Sequence, residues 1–177
     1  MPSIEFSGQL LVPLFALRPL LKEEQTDYLE IQNLIFGYFQ CYDKKDWEGL
    51  QKLVAPSVRM DYTLLGGELH ESATPQQVAA QVSNLIGDPC LQTQHLLGAS
   101  RWVRLDNDTV EVEHQARVAH QRYAAASSAE VVNHGHGHGA LKQTFQKVEG
   151  KWKMAGFLPT LSWAEFDLEG TLNPKPS

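Results

Sequence analysis

Two histidines, His95 and His120, lie at core-facing positions of two predicted strands. Apolar and polar residues alternate over residues 91–97 and 110–120, and each histidine falls on the apolar face of its strand. A single histidine in such a position is usually a core residue with a hydrogen-bond partner. Because imidazole changes its charge near neutral pH, two of them in one interior also indicate general acid–base chemistry.

Two tyrosines and one aspartate precede these strands on a predicted helix. Its apolar residues recur at a spacing of three and four, which places Tyr38 and Tyr42 on the buried face. Asp43 then falls at the C-terminal end of the helix, where the dipole already presents negative charge, so this carboxylate needs a partner. The alternative is a solvated turn in which Asp43 or Asp46 caps a second helix over residues 47–55. Asp27, followed by Glu30, is the predicted N-cap of the first helix.

The order of the remaining patterns predicts an α+β fold. A short strand carries Val58, Met60 and Tyr62 on one face, so Tyr62 is expected to face inward, and residues 64–69 are typical of a hairpin. A third helix should begin at Thr74 and end at residue 87, with an apolar stripe at Val78, Val82, Leu85 and Ile86. Long strands follow. We therefore expect a curved antiparallel sheet that wraps around three helices and encloses a pocket.

Three histidines alternate with glycines in the strand predicted over residues 131–145. The H-x-H-x-H pattern of His134, His136 and His138 places three imidazoles on one face, an arrangement that can bind a transition metal. Leu141 and Phe145, however, occupy the opposite, odd-numbered face. We therefore predict that the odd face is interior, that the histidines point outward into a subunit contact, that the glycines leave inner space for a ligand, and that no metal is bound.

Length and charge restrict the kind of protein. With 177 residues the chain is expected to form one domain, residues 25–177, preceded by an extension of residues 1–24. A net charge of −6 and a pI near 5.6 argue against nucleic acid or an anionic membrane as the partner. The apolar segment of residues 10–17 contains Pro13 and is too short to span a bilayer. The two widely separated cysteines indicate a reduced, intracellular protein, cytoplasmic or else endosomal or vesicular.

The chain resembles the fungal scytalone dehydratase family over residues 38–167. The similarity consists of collinear short motifs at nearly constant spacing, namely Tyr42-Asp43-Lys44-Lys45-Asp46-Trp47, Ala55-Pro56, Met60-Asp61-Tyr62, Gly87-Asp88-Pro89, Thr93-Gln94-His95, His120-Gln121-Arg122-Tyr123, Gly135-His136-Gly137-His138 and Gly150-Lys151-Trp152-Lys153. This resemblance implies a nuclear transport factor 2-like cone, a homotrimer, and neither metal nor organic cofactor. It also implies a place in melanin or related polyketide pigment biosynthesis.

The resemblance further implies the site residues. The family's catalytic histidine corresponds to His95, its Asp–His pair to Asp43 and His120, and its water-holding tyrosines to Tyr42 and Tyr62. His95 would remove and return a proton, Asp43 would orient His120 and favour its protonated form, and the tyrosines would stabilise an enolate. The expected substrate-binding residues are Tyr38, Gly139, Leu141, Phe166 and Leu168, and the apolar stretch over residues 157–168 corresponds to the family's lid.

Three positions depart from the family. Gly139 replaces a serine that contacts the catalytic histidine, Leu141 replaces an asparagine that anchors a substrate hydroxyl, and Tyr38 replaces a tryptophan. The proton-transfer residues are retained, so the chain is expected to dehydrate scytalone or, more readily, a related hydroxylated polyketide. Two other functions remain open: a polyketide cyclase or isomerase on the same fold, and a binding or transport module without catalysis.

Overall fold

The computed structural model describes residues 22–174. Four helices and six strands follow one another in the order α1 (Lys22–Lys44), α2 (Trp47–Leu53), β1 (Val54–Asp61), β2 (Leu69–Ala73), α3 (Pro75–Ile86), β3 (Leu91–Arg104), β4 (Thr109–Tyr123), β5 (Val131–Val148), β6 (Lys151–Phe166) and α4 (Leu168–Leu172). A 3₁₀ turn, Thr63–Leu65, joins β1 to β2. Within this part of the chain, no helix has the length and apolar character needed to cross a membrane.

The six strands form one sheet in the order β2-β1-β6-β5-β4-β3. Neighbouring strands are antiparallel except for β1 and β6, which run parallel. The predicted α+β class is confirmed, whereas the expectation of a wholly antiparallel sheet is wrong. No hairpin links β1 to β6, so chain connectivity does not fix their relative direction.

Helix α1 packs against the concave side of the sheet, and Asp27 links the helix by hydrogen bonds to β3, β5 and β6. Asp27 is 8% exposed and lies inside the helix rather than at its N-cap, which corrects the sequence prediction. Its carboxylate accepts hydrogen bonds from Trp152 Nε1 at 2.8 Å, Arg104 Nη2 at 2.7 Å and Lys147 Nζ at 2.8 Å. Burial alone would raise the pKa of Asp27, but these donors outweigh it and lower the pKa to about 2.

The first helix begins before the predicted start of the domain at residue 25. It already includes residues 22–24, which the sequence analysis assigned to the N-terminal extension. Residues 1–21 and 175–177 lie outside the described residues. The domain limits of 25–177 therefore stay a prediction, except that the ordered helix reaches at least three residues further toward the N-terminus.

Local sequence signals account well for α2 and α3. Asp46 caps α2 by accepting a hydrogen bond from Gly49 N at 2.8 Å, which leaves Asp43 free for another role. Thr74 and Gln77 form a reciprocal capping box at the start of α3. The predicted apolar stripe of α3 is right except at Leu85, which is exposed. The hairpin between β1 and β2 is confirmed, whereas α2 ends at Leu53 rather than at residue 55, and β1 begins at Val54 rather than after Pro56.

Candidate active site

Asp43 and His95 form a hydrogen-bonded pair where the C-terminal end of α1 meets β3. Asp43 Oδ1 lies 2.7 Å from His95 Nδ1 and 2.8 Å from the hydroxyl of Thr93, and Asp43 Oδ2 accepts the backbone N–H of His95 at 3.1 Å. Burial acts to raise the pKa of Asp43, but the bonds from His95 and Thr93 outweigh it, and the net pKa is lowered. The carboxylate is therefore ionised and accepts the Nδ1 proton, which leaves His95 Nε2 as a basic nitrogen.

This geometry corrects the predicted pairing of Asp43 with His120. Thr93 on β3 lies opposite His120 on β4, so Asp43 reaches the nearer strand and bonds to Thr93 and His95 instead. His120 Nδ1 is buried and has no hydrogen-bond partner among residues 22–174. Burial, with a smaller contribution from the neighbouring His95, lowers the pKa of His120 to about 4. His120 is thus neutral at physiological pH, contrary to the protonated form expected.

Aromatic rings enclose His95 on the inner side of the sheet. The ring of Tyr42 meets the imidazole edge-on with centroids 5.3 Å apart, and Phe39 stacks on it at 5.1 Å. Sequence analysis missed Phe39, although its position next to Tyr38 on the same buried helix face was visible in the spacing. It also missed Thr93, which precedes His95 by two residues on the same strand face. The stacked ring of Phe39 fixes the plane of the imidazole, and the bond to Asp43, which Thr93 helps to hold in place, fixes its tautomer.

Three tyrosines converge beside the histidine. The hydroxyls of Tyr38 and Tyr42 lie 2.5 Å apart, and the rings of Tyr38 and Tyr62 both contact Phe157. Burial raises the pKa of all three phenols, so each keeps its proton and can donate a hydrogen bond. Such donors can stabilise a negative oxygen that forms next to His95. Tyr38 and Tyr42 face inward as predicted, and Tyr62 lies just after β1 rather than within it.

The glycines of β5 do not leave empty space on the inner face. A Cβ atom on Gly139 would lie 1.9 Å from the carbonyl oxygen of Thr160 in β6, where the register of the two strands shifts. A Cβ on Gly135 would lie 2.2 Å from Cα of Leu168. The prediction that these glycines make room for a ligand is therefore wrong, because neighbouring backbone fills that room. Leu141, two residues further along, is buried on the same face as predicted.

Helix α4 covers the inner face of β5 next to His120. Leu168 begins this helix, and its Cδ2 atom lies within 3.6 Å of the position that a Gly137 side chain would occupy. Arg122, which shares the inner face of β4 with His120, donates from Nε to the carbonyl of Thr171 at 2.7 Å and also forms an ion pair with Asp88. These contacts of Arg122 with Thr171 and Asp88, called the clasp below, join α4 to the turn before β3. Sequence analysis did not predict them.

Phe166 lies on the opposite face of the sheet from helix α4. Its φ of 58° leaves the extended conformation, and its ring contacts His134 and His136, with centroids 4.4 and 5.3 Å apart. Phe166 and the stacked pair of Trp163 and His138 therefore face outward. The place of Phe166 on the outer face does not support its predicted role in substrate binding, and the predicted lid over residues 157–168 stays a prediction.

The histidines of β5 point outward, as the odd-even pattern predicted. Odd-numbered residues of β5 such as Phe145 are buried, while His136 and His138 meet Glu165 and Arg117 on the outer face. Arg117 Nη2 donates to His136 Nδ1 at 2.8 Å, and His138 Nε2 lies 3.2 Å from Glu165 Oε2. Within residues 22–174 no group of three His, Cys, Asp or Glu side chains has the geometry of a metal site.

Comparison with known proteins assigns the chain to a family. The scytalone dehydratase family model matches residues 22–175. A scytalone dehydratase-like protein of Claviceps purpurea is 41% identical over 145 residues, which cover 81% of this chain and 92% of that protein. The scytalone dehydratase of Pyricularia oryzae is 38% identical over 146 residues, covering 81% of this chain and 85% of that enzyme.

Solved structures support the same fold. A putative dehydratase of the NTF2-like family from Streptomyces avermitilis superposes with a TM-score of 0.66 at 13% identity, covering 77% of this chain and 97% of that one. At this identity the likeness concerns the fold alone, and it confirms the expected nuclear transport factor 2-like architecture. The family model, the fungal relatives and the shared motifs agree, and the chain belongs to the scytalone dehydratase family.

Proposed function

We propose that the chain is a hydro-lyase that removes water from a hydroxylated cyclic ketone of polyketide origin. The observation that carries this proposal is the Asp43–His95 pair, whose imidazole ring lies beside Tyr42, a buried phenol that is itself hydrogen-bonded to Tyr38. Membership of the scytalone dehydratase family supports the reaction class and a place in fungal pigment or secondary metabolism. The reaction needs no metal or organic cofactor, because proton transfer and hydrogen bonding supply all its steps.

His95 acts first as a base. Its Nε2 takes a proton from the carbon next to the substrate carbonyl, and the electron pair of that C–H bond moves onto the carbonyl oxygen as an enolate. Asp43 accepts a hydrogen bond from Nδ1–H throughout and so stabilises the imidazolium that forms. General base catalysis of this kind contributes on the order of a hundred- to ten-thousandfold to the rate.

The same histidine then acts as an acid. The enolate electrons re-form the carbonyl while the carbon–oxygen bond to the β-hydroxyl breaks, and His95 gives its Nε2 proton to the departing oxygen. One water leaves, one carbon–carbon double bond forms, and His95 returns to its starting protonation state. Aromatisation of the product ring supplies the driving force.

Tyr42 and Tyr62 donate hydrogen bonds to the developing enolate oxygen, directly or through a water. Both phenols keep their protons because burial raises their pKa. His120, being neutral, is suited to hydrogen-bond a substrate hydroxyl rather than to carry charge. In this scheme Asp43 orients His95 and does not interact with His120.

Leu141 determines which chemical groups the site accepts at one edge of the substrate. It offers no hydrogen bond and is buried, so a substrate hydroxyl placed against it would lose its water partners, at a cost of about 1–3 kcal/mol. We therefore propose that the preferred substrate is apolar or differently substituted at that edge and is related to scytalone. Leu141→Asn is the clean test, because Gly139→Ser introduces the clash with Thr160 described above.

The deciding experiment is turnover of scytalone and related hydroxylated ketones by the purified chain, followed by mass spectrometry. A product lighter by one water supports the dehydratase. A product of unchanged mass would instead favour a cyclase or isomerase, and binding without conversion would favour a transport module. His95→Ala should abolish turnover while leaving the fold intact, and a variant that keeps more than about a tenth of the wild-type rate would contradict the assignment.

We also propose that the chain is a cytoplasmic homotrimer, with the outer face of β5 and β6 as its contact. Trp163 is 52% exposed and Phe166 is 67% exposed on this face, beside the partly exposed His136 and Glu165. A large apolar and aromatic patch of this kind is typical of protein interfaces. Light scattering of the wild type and of Phe166→Glu tests the assembly, and a monomeric wild type would overturn it.

A further inference from the structure

We infer that Tyr38 is a positioning residue, whose hydroxyl fixes the direction in which Tyr42 donates its hydrogen bond. The inference rests on the proposed function, in which Tyr42 donates to the enolate oxygen. It concerns a residue at which this chain departs from its family's tryptophan, and so it describes a feature of this chain in particular. It also changes the predicted role of Tyr38 from substrate contact to support of another residue.

The two phenols are held in a fixed relation. Tyr38 and Tyr42 lie one turn apart on the inner face of α1, their ring centroids are 4.8 Å apart, and their hydroxyl oxygens are 2.5 Å apart. Tyr38 is 0% exposed, and its ring also packs against Phe39 and Phe157. Neither ring can rotate away without displacing its neighbours, so the contact between the hydroxyls is built into the core.

Each phenol has one hydrogen, so only one of the pair can donate to the other. Among residues 22–174 the hydroxyl of Tyr38 has Tyr42 as its only hydrogen-bond partner. If Tyr42 donated to Tyr38, the hydrogen of Tyr38 would be buried without an acceptor, and that is unfavourable. When Tyr38 donates instead, its hydrogen is satisfied, and the hydrogen of Tyr42 can go to the neighbouring hydroxyl of Tyr62 or, with substrate bound, to the substrate oxygen.

The hydroxyl hydrogen of Tyr42 can then point into the space next to His95. The ring of Tyr42 meets that of His95 edge-on, so a substrate held at His95 would lie beside this phenol. Hydrogen bonds in a chain polarise one another, and the donation from Tyr38 makes Tyr42 a stronger donor. The resulting order is Tyr38 to Tyr42 to the substrate oxygen. Tyr38 thus aids catalysis without touching the substrate.

The test is a double-mutant cycle of Tyr38→Phe and Tyr42→Phe. Tyr38→Phe keeps the ring and removes the hydroxyl, so kcat should fall roughly three- to tenfold while KM changes less than twofold. In the Tyr42→Phe background the same substitution should have no further effect, since Tyr38 acts only through Tyr42. Tyr28→Phe is the matched control, because Tyr28 is on the same helix but lies outside the site.

A second readout keeps the test independent of turnover. The anion of a hydroxynaphthoquinone is a stable bicyclic enolate, and its binding can be measured by calorimetry. Tyr38→Phe should weaken that binding by a similar factor in the wild-type background and leave it unchanged in the Tyr42→Phe background. If the wild type dehydrates none of the ketones, the proposed function fails, and this binding cycle still decides the role of Tyr38.

Three results would overturn the inference. They are an unchanged kcat and an unchanged enolate affinity in Tyr38→Phe, an equal additional loss in the Tyr42→Phe background, and a rise in KM with constant kcat. The last result would indicate the direct substrate contact predicted from the sequence. A fall in thermal unfolding temperature that accounts for the lost activity would likewise assign Tyr38 to the core alone.

Discussion

Replacement of Asp43 by asparagine should separate the Asp43–His95 pair from every other feature of the site. Asp43 accepts three hydrogen bonds, two of them on Oδ1, from His95 Nδ1 and the Thr93 hydroxyl, and one on Oδ2 from the backbone N–H of His95. An asparagine has one oxygen and one amino group, so it can satisfy only one of these two sides.

Each orientation of the asparagine is unfavourable for a different reason. With its oxygen toward the imidazole, its amino group faces the backbone N–H of His95, and two donors oppose each other at a cost of about 1–3 kcal/mol. With its amino group toward the imidazole, Nδ1 of His95 must accept, and the ring proton moves to Nε2. The base is then blocked, so kcat should fall about a hundred- to ten-thousandfold, as in other Asp–His pairs.

The assay is steady-state dehydration of scytalone, or of the best related ketone, by Asp43→Asn with Asp46→Asn as the matched control. Asparagine caps a helix as well as aspartate does, so the control should keep both kcat and thermal stability. His95→Ala and the double variant with Asp43→Asn complete the cycle, and the double variant should be no worse than His95→Ala. An Asp43→Asn enzyme that retains more than about a third of the wild-type kcat would refute the pairing as the source of the base.

Three further predictions concern stability and the clasp on α4. His120 has a pKa of about 4 in the fold and near 6.5 when unfolded, so its contribution is complete above pH 6.5 and is lost as the pH falls toward 4, by roughly 3 kcal/mol. Urea unfolding over this range should show the decrease, His120→Gln should flatten it, and a flat wild-type profile would contradict the buried neutral state. Gly139→Ala should lower the free energy of unfolding by about 1–3 kcal/mol, and with it the unfolding temperature, because of the clash with Thr160; Gly37→Ala, in the middle of α1 with no contact under 3.5 Å, should raise both. Arg122→Gln should release α4 and speed amide exchange there, and equal exchange in both proteins would show that the clasp does not hold the helix.

Several elements of the site follow from local sequence. The three-and-four spacing of α1 placed Tyr38 and Tyr42 on its inner face, and strand alternation placed His95 and His120 on the concave side of the sheet. The odd-even pattern of β5 correctly turned its histidines outward. These features depend on the helical and extended periodicities, which each segment carries in its own residues.

Which side chains bond to each other depends on the tertiary structure, and Asp43 is the clearest example. Its unfavourable place at a helix end predicted that it needs a partner, and the family resemblance assigned His120, not His95, to that role. The register of β3 against β4 sets Thr93 opposite His120, and the end of α1 lies over β3. A difference of one strand spacing, about 5 Å, therefore decides which histidine becomes the base and which stays neutral.

Gly139 and Phe166 were misassigned for a related reason. The family pattern placed both at the substrate, yet the register shift between β5 and β6 brings the Thr160 carbonyl against Gly139, and a positive φ turns Phe166 to the outer face. The sequence by itself determined the buried face of most elements, with Asp27 and Leu85 as exceptions, and the family of the chain, because periodicity and the order of motifs lie along the chain. The tertiary structure alone decided which buried groups meet, because strand register, local shifts in it and single backbone dihedrals combine residues that the chain keeps far apart.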